Sequence, residues 1–159
     1  MNYYQIRKFD VANGPAVRTT LFVSGCVHNC KGCFNSALKE FSCGKLWTKE
    51  TEELFMSYVK NERVEGVSIL GGEPMAQTMD SSLLDLLKRI KTETNKSIWL
   101  WSGFTLEEIL QDEKKKEILR LVDVLIDGRF ILEQRNLNLK YRGSENQRVI
   151  KVSEIPTLF

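Results

Sequence analysis

Long apolar runs are missing from this sequence of 159 residues, and none approaches the roughly 18 residues that a membrane-spanning helix needs. Residues 1–20 also lack the apolar segment of a secretory signal peptide, because Arg7, Lys8 and Asp10 interrupt them. Internal repeats, low-complexity segments and linkers are absent as well. We therefore expect a single domain over residues 1–159 that is cytoplasmic and does not contact a membrane.

An excess of charge of one sign is absent too, since 23 Lys and Arg residues stand against 21 Asp and Glu residues. The one basic run, at residues 114–116, lies among glutamates in a helical pattern, which is typical of a solvated helix face. With no basic block in the sequence, nucleic acid is not expected as a partner.

Cysteine is sparse, but three of the four cysteines fall within eight residues, with the spacing C-x3-C-x2-C. Clustered thiols in the reducing cytoplasm more often bind metal than form disulfides. Three thiolates suit three irons of a 4Fe-4S cluster, and the spacing supplies no fourth protein ligand. The sequence thus predicts a cluster held by Cys26, Cys30 and Cys33, with one iron open to a bound molecule.

Two other interpretations of this loop remain open. A structural zinc site could combine the three thiols with His28, the single histidine, although zinc sites usually draw paired ligands from two separated places. A disulfide would leave one of the three cysteines unpaired. Cys43, ten residues beyond Cys33, is interpreted as an ordinary thiol outside the site.

Strand patterns alternate with helix patterns along the chain. Strands are predicted at residues 18–24, 66–70, 97–102, 122–127 and 148–152. A helix is predicted over residues 81–91 with Asp80 capping its start, and another begins at a capping box formed by Thr105 and Glu108. This alternation favours an α/β fold with a parallel sheet.

The chain is too short for a closed barrel of eight β/α units, which takes at least ~200 residues. We expect a partial (incomplete) parallel β/α barrel that is open along one flank. Active groups in such folds lie on loops after the carboxyl ends of the strands. The loops in question are expected to face one side; they hold residues 25–35, 71–74, 102–103 and 127–129.

Some residues near these strand ends have two possible roles. The glycine pair at residues 71–72 lets the backbone approach a ligand, or it forms an ordinary turn. Trp99 and Trp101 share one face of their strand, where they fill the core or stack on a ligand. Asp127 and Arg129 engage in a salt bridge or contact polar parts of a cofactor.

The cysteine spacing, taken with the sequence GGEP at residues 71–74, resembles the radical S-adenosylmethionine (radical SAM) superfamily. Within it, the chain is similar to the glycyl-radical activating enzymes that serve anaerobic ribonucleoside-triphosphate reductases. Four further stretches carry this resemblance, at residues 13–18 (NGPAVR), 99–104 (WLWSGF), 123–130 (DVLIDGRF) and 142–150 (RGSENQRVI). The last of them distinguishes this family from the activators of pyruvate formate-lyase. The chain departs from its relatives at Ala16, where glycine is frequent, and at Gly32, where the superfamily often has an aromatic residue.

The resemblance implies two cofactors, a 4Fe-4S cluster and S-adenosyl-L-methionine, whose amino and carboxylate groups would chelate the fourth iron. Cleavage by one electron would release methionine and a 5′-deoxyadenosyl radical, which would take a hydrogen from a glycine of the anaerobic ribonucleotide reductase large subunit. The electron would come from a reduced donor such as flavodoxin. Contacts to S-adenosylmethionine are implied for Gly32, Cys33, Phe34, Gly71, Gly72, Glu73, Ser102, Asp127 and Arg129.

Other functions stay open on the residues alone. A small radical enzyme acting on a free metabolite is disfavoured by the short chain and by residues 142–150. An activator of another glycyl-radical enzyme, such as pyruvate formate-lyase, is a second possibility. An iron–sulfur electron carrier would generally have four cysteine ligands per cluster. A zinc-stabilised binding module is the remaining alternative. If the barrel is open, we expect the partner's glycine segment to complete its wall.

Overall fold

A seven-stranded mixed sheet is the frame of the protein, in a computed structural model that describes all residues from 1 to 159. The strand order across the sheet is β3-β1-β2-β4-β5-β6-β7. The strands are β1 (Asn2–Asp10), β2 (Arg18–Val23), β3 (Lys45–Leu46), β4 (Gly66–Gly71), β5 (Ser97–Trp101), β6 (Val124–Asp127) and β7 (Arg148–Lys151). The predicted α/β class is confirmed.

The four central strands β2, β4, β5 and β6 are parallel, as predicted, but the edges of the sheet are not. β1 pairs antiparallel with both β2 and β3, and β7 pairs antiparallel with β6. The expectation of a wholly parallel sheet is therefore wrong. Parallel neighbours need a crossover, usually a helix, whereas residues 128–147 contain only one short 3-10 turn at Leu132–Gln134.

Four α-helices follow the strands: α1 (Lys49–Val59), α2 (Ser82–Glu93), α3 (Leu106–Ile109) and α4 (Glu113–Leu119). Asp80 accepts a hydrogen bond from the Ser82 backbone N–H at the start of α2, as predicted. The helix expected from the Thr105 capping box is split in two, because Asp112 accepts from the backbone N–H groups of Lys114 and Lys115 and starts α4. The sequence patterns did not predict β1, β3 or α1.

The two faces of the sheet serve different purposes, because side chains alternate along each strand. Leu21, Ile69 and Leu100 point to one face, where they join a core of 23 buried hydrophobic residues with the helices. Their neighbours Phe22 and Leu70 point to the opposite face, which lines a cavity. The helices are all too short or too polar to cross a membrane.

The chain enters β2 through a tight loop that ends at a buried arginine. The Arg18 Nε donates to the Ser68 hydroxyl at 2.8 Å, and its Nη2 donates to the Val67 carbonyl at 3.0 Å, so the guanidinium joins β2 to β4. Burial lowers the pKa of Arg18 to about 10. In the same loop Ala16 has φ +63°, in the left-handed region that glycine favours.

Candidate functional site

A cavity of about 540 Å³ lies at the carboxyl ends of the parallel strands. Its lining draws residues from all four predicted loops, which confirms that these loops share one side of the sheet. The predicted site residues that line it are Cys26, Cys30, Cys33, Phe34, Gly71, Gly72, Glu73 and Ser102. Three other predicted site residues lie outside the lining, namely Gly32, Asp127 and Arg129.

The cysteine loop, defined here as residues 24–35, is hydrogen-bonded at its start to the segment that follows it. The Gly25 N–H donates to the Leu38 carbonyl at 2.7 Å, and the Cys26 N–H donates to the Lys39 carbonyl at 2.9 Å. Gly25 has φ +99°, and a Cβ there would lie 2.2 Å from the Phe41 ring. Only glycine therefore fits at the residue that precedes the first thiol.

The three thiols of this loop are all half-buried and free, so no disulfide joins them. Burial raises the pKa of the Cys26 thiol, and this effect outweighs the hydrogen bond from the His28 backbone that lowers it. Coordination to a metal deprotonates such a thiol despite its raised pKa. The Cys33 sulfur also accepts the Asn35 N–H at 3.4 Å.

The arrangement suits a cluster better than a single zinc ion. No three His, Cys, Asp or Glu side chains converge closely enough to hold one metal ion, and the His28 Nε2 lies 2.7 Å from Glu73. A 4Fe-4S cluster instead spreads its thiolate ligands over separate irons. Three half-buried thiols on the wall of one cavity fit that requirement, and the open cavity would leave the fourth iron of such a cluster accessible.

The glycine pair at the end of β4 permits a close approach between backbones. A Cβ on Gly71 would lie 2.6 Å from the Val23 carbonyl oxygen, and a Cβ on Gly72 would lie 2.3 Å from the Gly25 carbonyl oxygen. The Glu73 N–H donates to that Gly25 oxygen at 2.7 Å. The pair thus seats the end of β4 against the cysteine loop, while both glycines also line the cavity.

Glu73 is fully buried, and its carboxylate accepts four hydrogen bonds. Oε1 accepts from the His28 Nε2 at 2.7 Å and from the Gly103 N–H at 2.6 Å. Oε2 accepts from the Ser102 hydroxyl at 2.8 Å and from the Met75 N–H at 2.9 Å. The sequence patterns did not reveal the parts of His28 and Gly103 in this network; the one hint was a single histidine inside the cysteine loop.

Asp127 and Arg129 form ion pairs, but with other partners than each other. Asp127 is buried and accepts from the Leu106 N–H at 2.7 Å and from the Arg148 Nε at 3.0 Å. Arg129 pairs with both carboxylate oxygens of Glu108, at 2.9 and 3.1 Å, and these bonds raise the pKa of Arg129. The predicted salt bridge between these two residues is therefore wrong, since each pairs with a different residue, and their contact with a cofactor stays a prediction.

Trp99 and Trp101 lie on the cavity face of β5, and neither belongs to the core beneath the helices. Trp101 lines the cavity, while Trp99 packs edge-on against Tyr141 at 5.0 Å between ring centroids. The prediction that they share one face is confirmed, and the core interpretation holds in part for Trp101, which packs against a small buried cluster of Phe22, Leu38 and Leu70.

The end of the cysteine loop contacts residues 128–147, which we call the cover segment. Phe34 is 68% exposed and packs on Phe130 with 5.3 Å between ring centroids. Gly32 has φ +74°, and a Cβ there would touch Leu132 at 3.0 Å. Gly32 thus faces the cover segment, and Phe34 remains available at the cavity rim.

Comparison with known proteins agrees with this geometry. A family model described as a 4Fe-4S single cluster domain matches residues 12–150. A relative from Vibrio cholerae, named anaerobic ribonucleoside-triphosphate reductase-activating protein, is 47% identical over 92% of this chain and 96% of its own. Proteins of the same name from Haemophilus influenzae and Escherichia coli are 42% and 38% identical, over 92% and 94% of this chain and over 96% and 97% of their own lengths. The chain therefore belongs to the family of anaerobic ribonucleoside-triphosphate reductase-activating proteins, with a 4Fe-4S single cluster domain.

Proposed function

We propose that this chain activates an anaerobic ribonucleoside-triphosphate reductase by the radical chemistry of S-adenosylmethionine at a 4Fe-4S cluster. The observation that carries the proposal is the placement of three free thiols on the wall of one cavity at the carboxyl ends of parallel strands. The names of the relatives support the choice of partner. The cavity volume lies within the range of about 300 to 1,000 Å³ that small-molecule sites occupy.

Cys26, Cys30 and Cys33 would hold three irons of the cluster. The cluster and S-adenosylmethionine, when bound, supply the reductive cleavage of a carbon–sulfur bond and hence a hydrogen-abstracting radical for the reductase glycine. The backbone around Gly71 and Gly72 would hold the amino group of the methionine moiety. In this proposal the chain's own residues bind and orient the ligand rather than exchange protons with it.

The sheet would protect the reaction from water. Four apolar side chains from four neighbouring parallel strands line the cavity, and such a wall excludes the water that would consume a reactive intermediate; they are Phe22, Leu70, Trp101 and Ile126.

We propose that the strands form a partial β/α barrel whose open flank is closed by the glycine-bearing segment of the reductase. The activator would work in the cytoplasm with a reduced donor such as flavodoxin.

The deciding experiment mixes this chain anaerobically with a reductant, S-adenosylmethionine and the candidate reductase. We expect electron paramagnetic resonance to show a glycyl radical on the reductase, with about four irons bound per activator. Cys30→Ala should lose both the cluster and the glycyl signal. Cys43→Ala is the matched control, since Cys43 is also half-buried but does not line the cavity, and it should keep both.

Three outcomes would contradict the proposal. A wild-type chain that binds zinc, or a cluster indifferent to S-adenosylmethionine, would exclude the proposed chemistry. Efficient cleavage of S-adenosylmethionine coupled to a small substrate, without any reductase, would instead identify an enzyme of free metabolites.

A further inference from the structure

We infer that Glu73 and His28 form a positioning pair, which fixes the middle of the cysteine loop against the ends of β4 and β5. The pair would set where the thiols and the bound S-adenosylmethionine sit, without the Glu73 carboxylate touching either. This inference rests on the proposed function of the cavity.

The first step is that all hydrogen-bond acceptor sites of the Glu73 carboxylate are already occupied by protein donors. An ionised carboxylate offers about four lone-pair sites on its two oxygens. Each oxygen of Glu73 already accepts two protein donors, at distances of 2.6 to 2.9 Å. An ammonium group of a ligand could bind this carboxylate only by displacing one of those donors, and a buried donor left without a partner costs about 1 to 3 kcal/mol.

The second step is that His28 is held firmly in its place. The residue is 9% exposed, and its ring packs edge-on against Phe104 with 4.6 Å between centroids. A Cβ on Gly103 would lie 2.5 Å from the His28 ring, so the glycine after Ser102 makes room for the imidazole. The ring therefore sits between the Glu73 carboxylate, just after β4, and the loop that follows β5.

The third step concerns the backbone between the first two thiols. Residues 27–29 make no backbone–backbone hydrogen bond, although Gly25 and Cys26 on one side and Cys33 on the other do. The only buried residue of this stretch is His28, since Val27 is 59% exposed and Asn29 is exposed, with one hydrogen bond from the Lys39 Nζ. The hydrogen bond from His28 to Glu73 is thus the main attachment of residues 27–29, which link Cys26 to Cys30.

A positioning role of this kind has a measurable size. Residues that orient metal ligands without binding the metal typically change metal affinity or activity by about 10- to 100-fold. His28→Leu removes the donor while it fills much of the space. His28→Gln is its matched partner of similar size, because the amide nitrogen of Gln lies the same number of bonds from Cβ as the Nε2 of His.

The experiment uses the full chain with its reconstituted cluster and S-adenosylmethionine as the probe. We expect His28→Leu to keep about four irons per chain and to bind S-adenosylmethionine about tenfold more weakly. The electron paramagnetic resonance spectrum of its cluster with S-adenosylmethionine should differ from that of the wild type. His28→Gln should recover most of the affinity. Hydrogen exchange on the metal-free chain should be faster in His28→Leu than in His28→Gln at Gly25, Cys26 and Cys33, whose N–H groups are hydrogen-bonded on either side of residues 27–29. Thr94→Val, which removes hydrogen bonds at the end of α2, is the control for a general loss of stability.

The outcomes separate this inference from the proposed function. If the wild-type chain assembles no cluster, or if the spectrum of its cluster does not change when S-adenosylmethionine is added, the proposed function is refuted. If the wild type responds but His28→Leu matches it in affinity, spectrum and exchange, the positioning role alone is overturned. A His28→Gln variant as weak as His28→Leu also overturns it, and so does loss of iron in both variants, which would mark His28 as a ligand.

Discussion

The indole Nε1 of Trp101 donates a hydrogen bond to the backbone carbonyl of Tyr141, at a distance of 2.6 Å. This bond connects the cavity face of β5 to the cover segment, 40 residues further along the chain. Tyr141 has φ +70°, a conformation that costs about 1 to 3 kcal/mol in a residue other than glycine and persists only where its surroundings hold it. Trp101 is therefore both part of the cavity wall and the anchor of the segment that covers it.

Replacing Trp101 by Phe should release the cover segment, because phenylalanine keeps an aromatic ring but donates no hydrogen bond. We expect faster hydrogen exchange in residues 138–143. We also expect S-adenosylmethionine to bind about tenfold more weakly, which is the size of effect that the loss of one hydrogen bond produces. Trp99→Phe is the control, since Trp99 contacts the Tyr141 ring without a hydrogen bond from its indole. Equal effects of the two substitutions would show that ring packing, not the indole bond, holds the segment.

The close approach of β4 to the cysteine loop predicts a strong steric effect at Gly72. Gly72→Ala would bring a methyl group within 2.3 Å of the Gly25 carbonyl oxygen, which is backbone and cannot rotate away. We expect a loss of more than about 3 kcal/mol in the free energy of unfolding, or failure to fold. Gly128→Ala is the comparison, since φ there is +98° but the nearest atom lies 3.5 Å away.

Denaturant unfolding of the two glycine variants measures this difference. Gly128→Ala bears the strain of a left-handed backbone alone, which costs about 1 to 2 kcal/mol. A Gly72→Ala variant that is no less stable than Gly128→Ala would contradict the close packing of Gly72 on the cysteine loop.

The sequence predicted the parallel centre of the sheet because short apolar strands bounded by glycine repeat with helices between them. The direction of β7 could not be predicted, since it depends on the long-range fact that residues 128–147 contain no crossover helix. The strand β1 was missed because its polar sequence, NYYQIRKFD, lies near the sheet edge and has little alternation.

In the candidate site too, some features could be predicted from the sequence and others could not. The spacing of Cys26, Cys30 and Cys33 predicted that they share one site, and all three line the cavity, while their role as cluster ligands stays a prediction. The contact between His28 and Glu73 joins residues 45 positions apart, and no local sequence pattern predicts it. Likewise, Asp127 and Arg129 looked like partners from their proximity, while the fold gives each of them a different ion pair.

Those two ion pairs predict different contributions to stability. Arg148→Met would leave the buried Asp127 carboxylate with the Leu106 N–H as its remaining donor. We expect a loss of about 1 to 3 kcal/mol in the free energy of unfolding. Arg129→Met removes an exposed pair with Glu108 and should cost less than about 1 kcal/mol. Denaturant unfolding of both variants tests the contrast, and equal losses would contradict the importance of the Asp127 burial.

Asp10 predicts a dependence of stability on pH. Burial of the residue by itself raises the pKa of the Asp10 carboxyl, but hydrogen bonds from Asn13, Ala12 and Thr20 outweigh it, and the pKa is lowered. The Asn13 amide and the Thr20 hydroxyl each lie 2.7 Å from the carboxylate, and the Ala12 N–H lies 2.9 Å from it. A carboxyl group with a lowered pKa in the folded state contributes stability above its unfolded pKa, near 3.9 for aspartate, and loses it as pH falls through the folded value.

Asp10→Asn should therefore destabilise the chain at neutral pH and much less in acid. The asparagine cannot accept the same donors on both of its side-chain atoms, so we expect a loss of about 1 to 3 kcal/mol at pH 7. As pH falls below the unfolded pKa of about 3.9 toward the lowered folded value, the wild-type carboxyl becomes protonated, and the difference between the two proteins should shrink. Urea unfolding of the metal-free chains across pH 3 to 7 measures it. A difference that stays constant over this range would mean that the folded state does not stabilise the Asp10 charge.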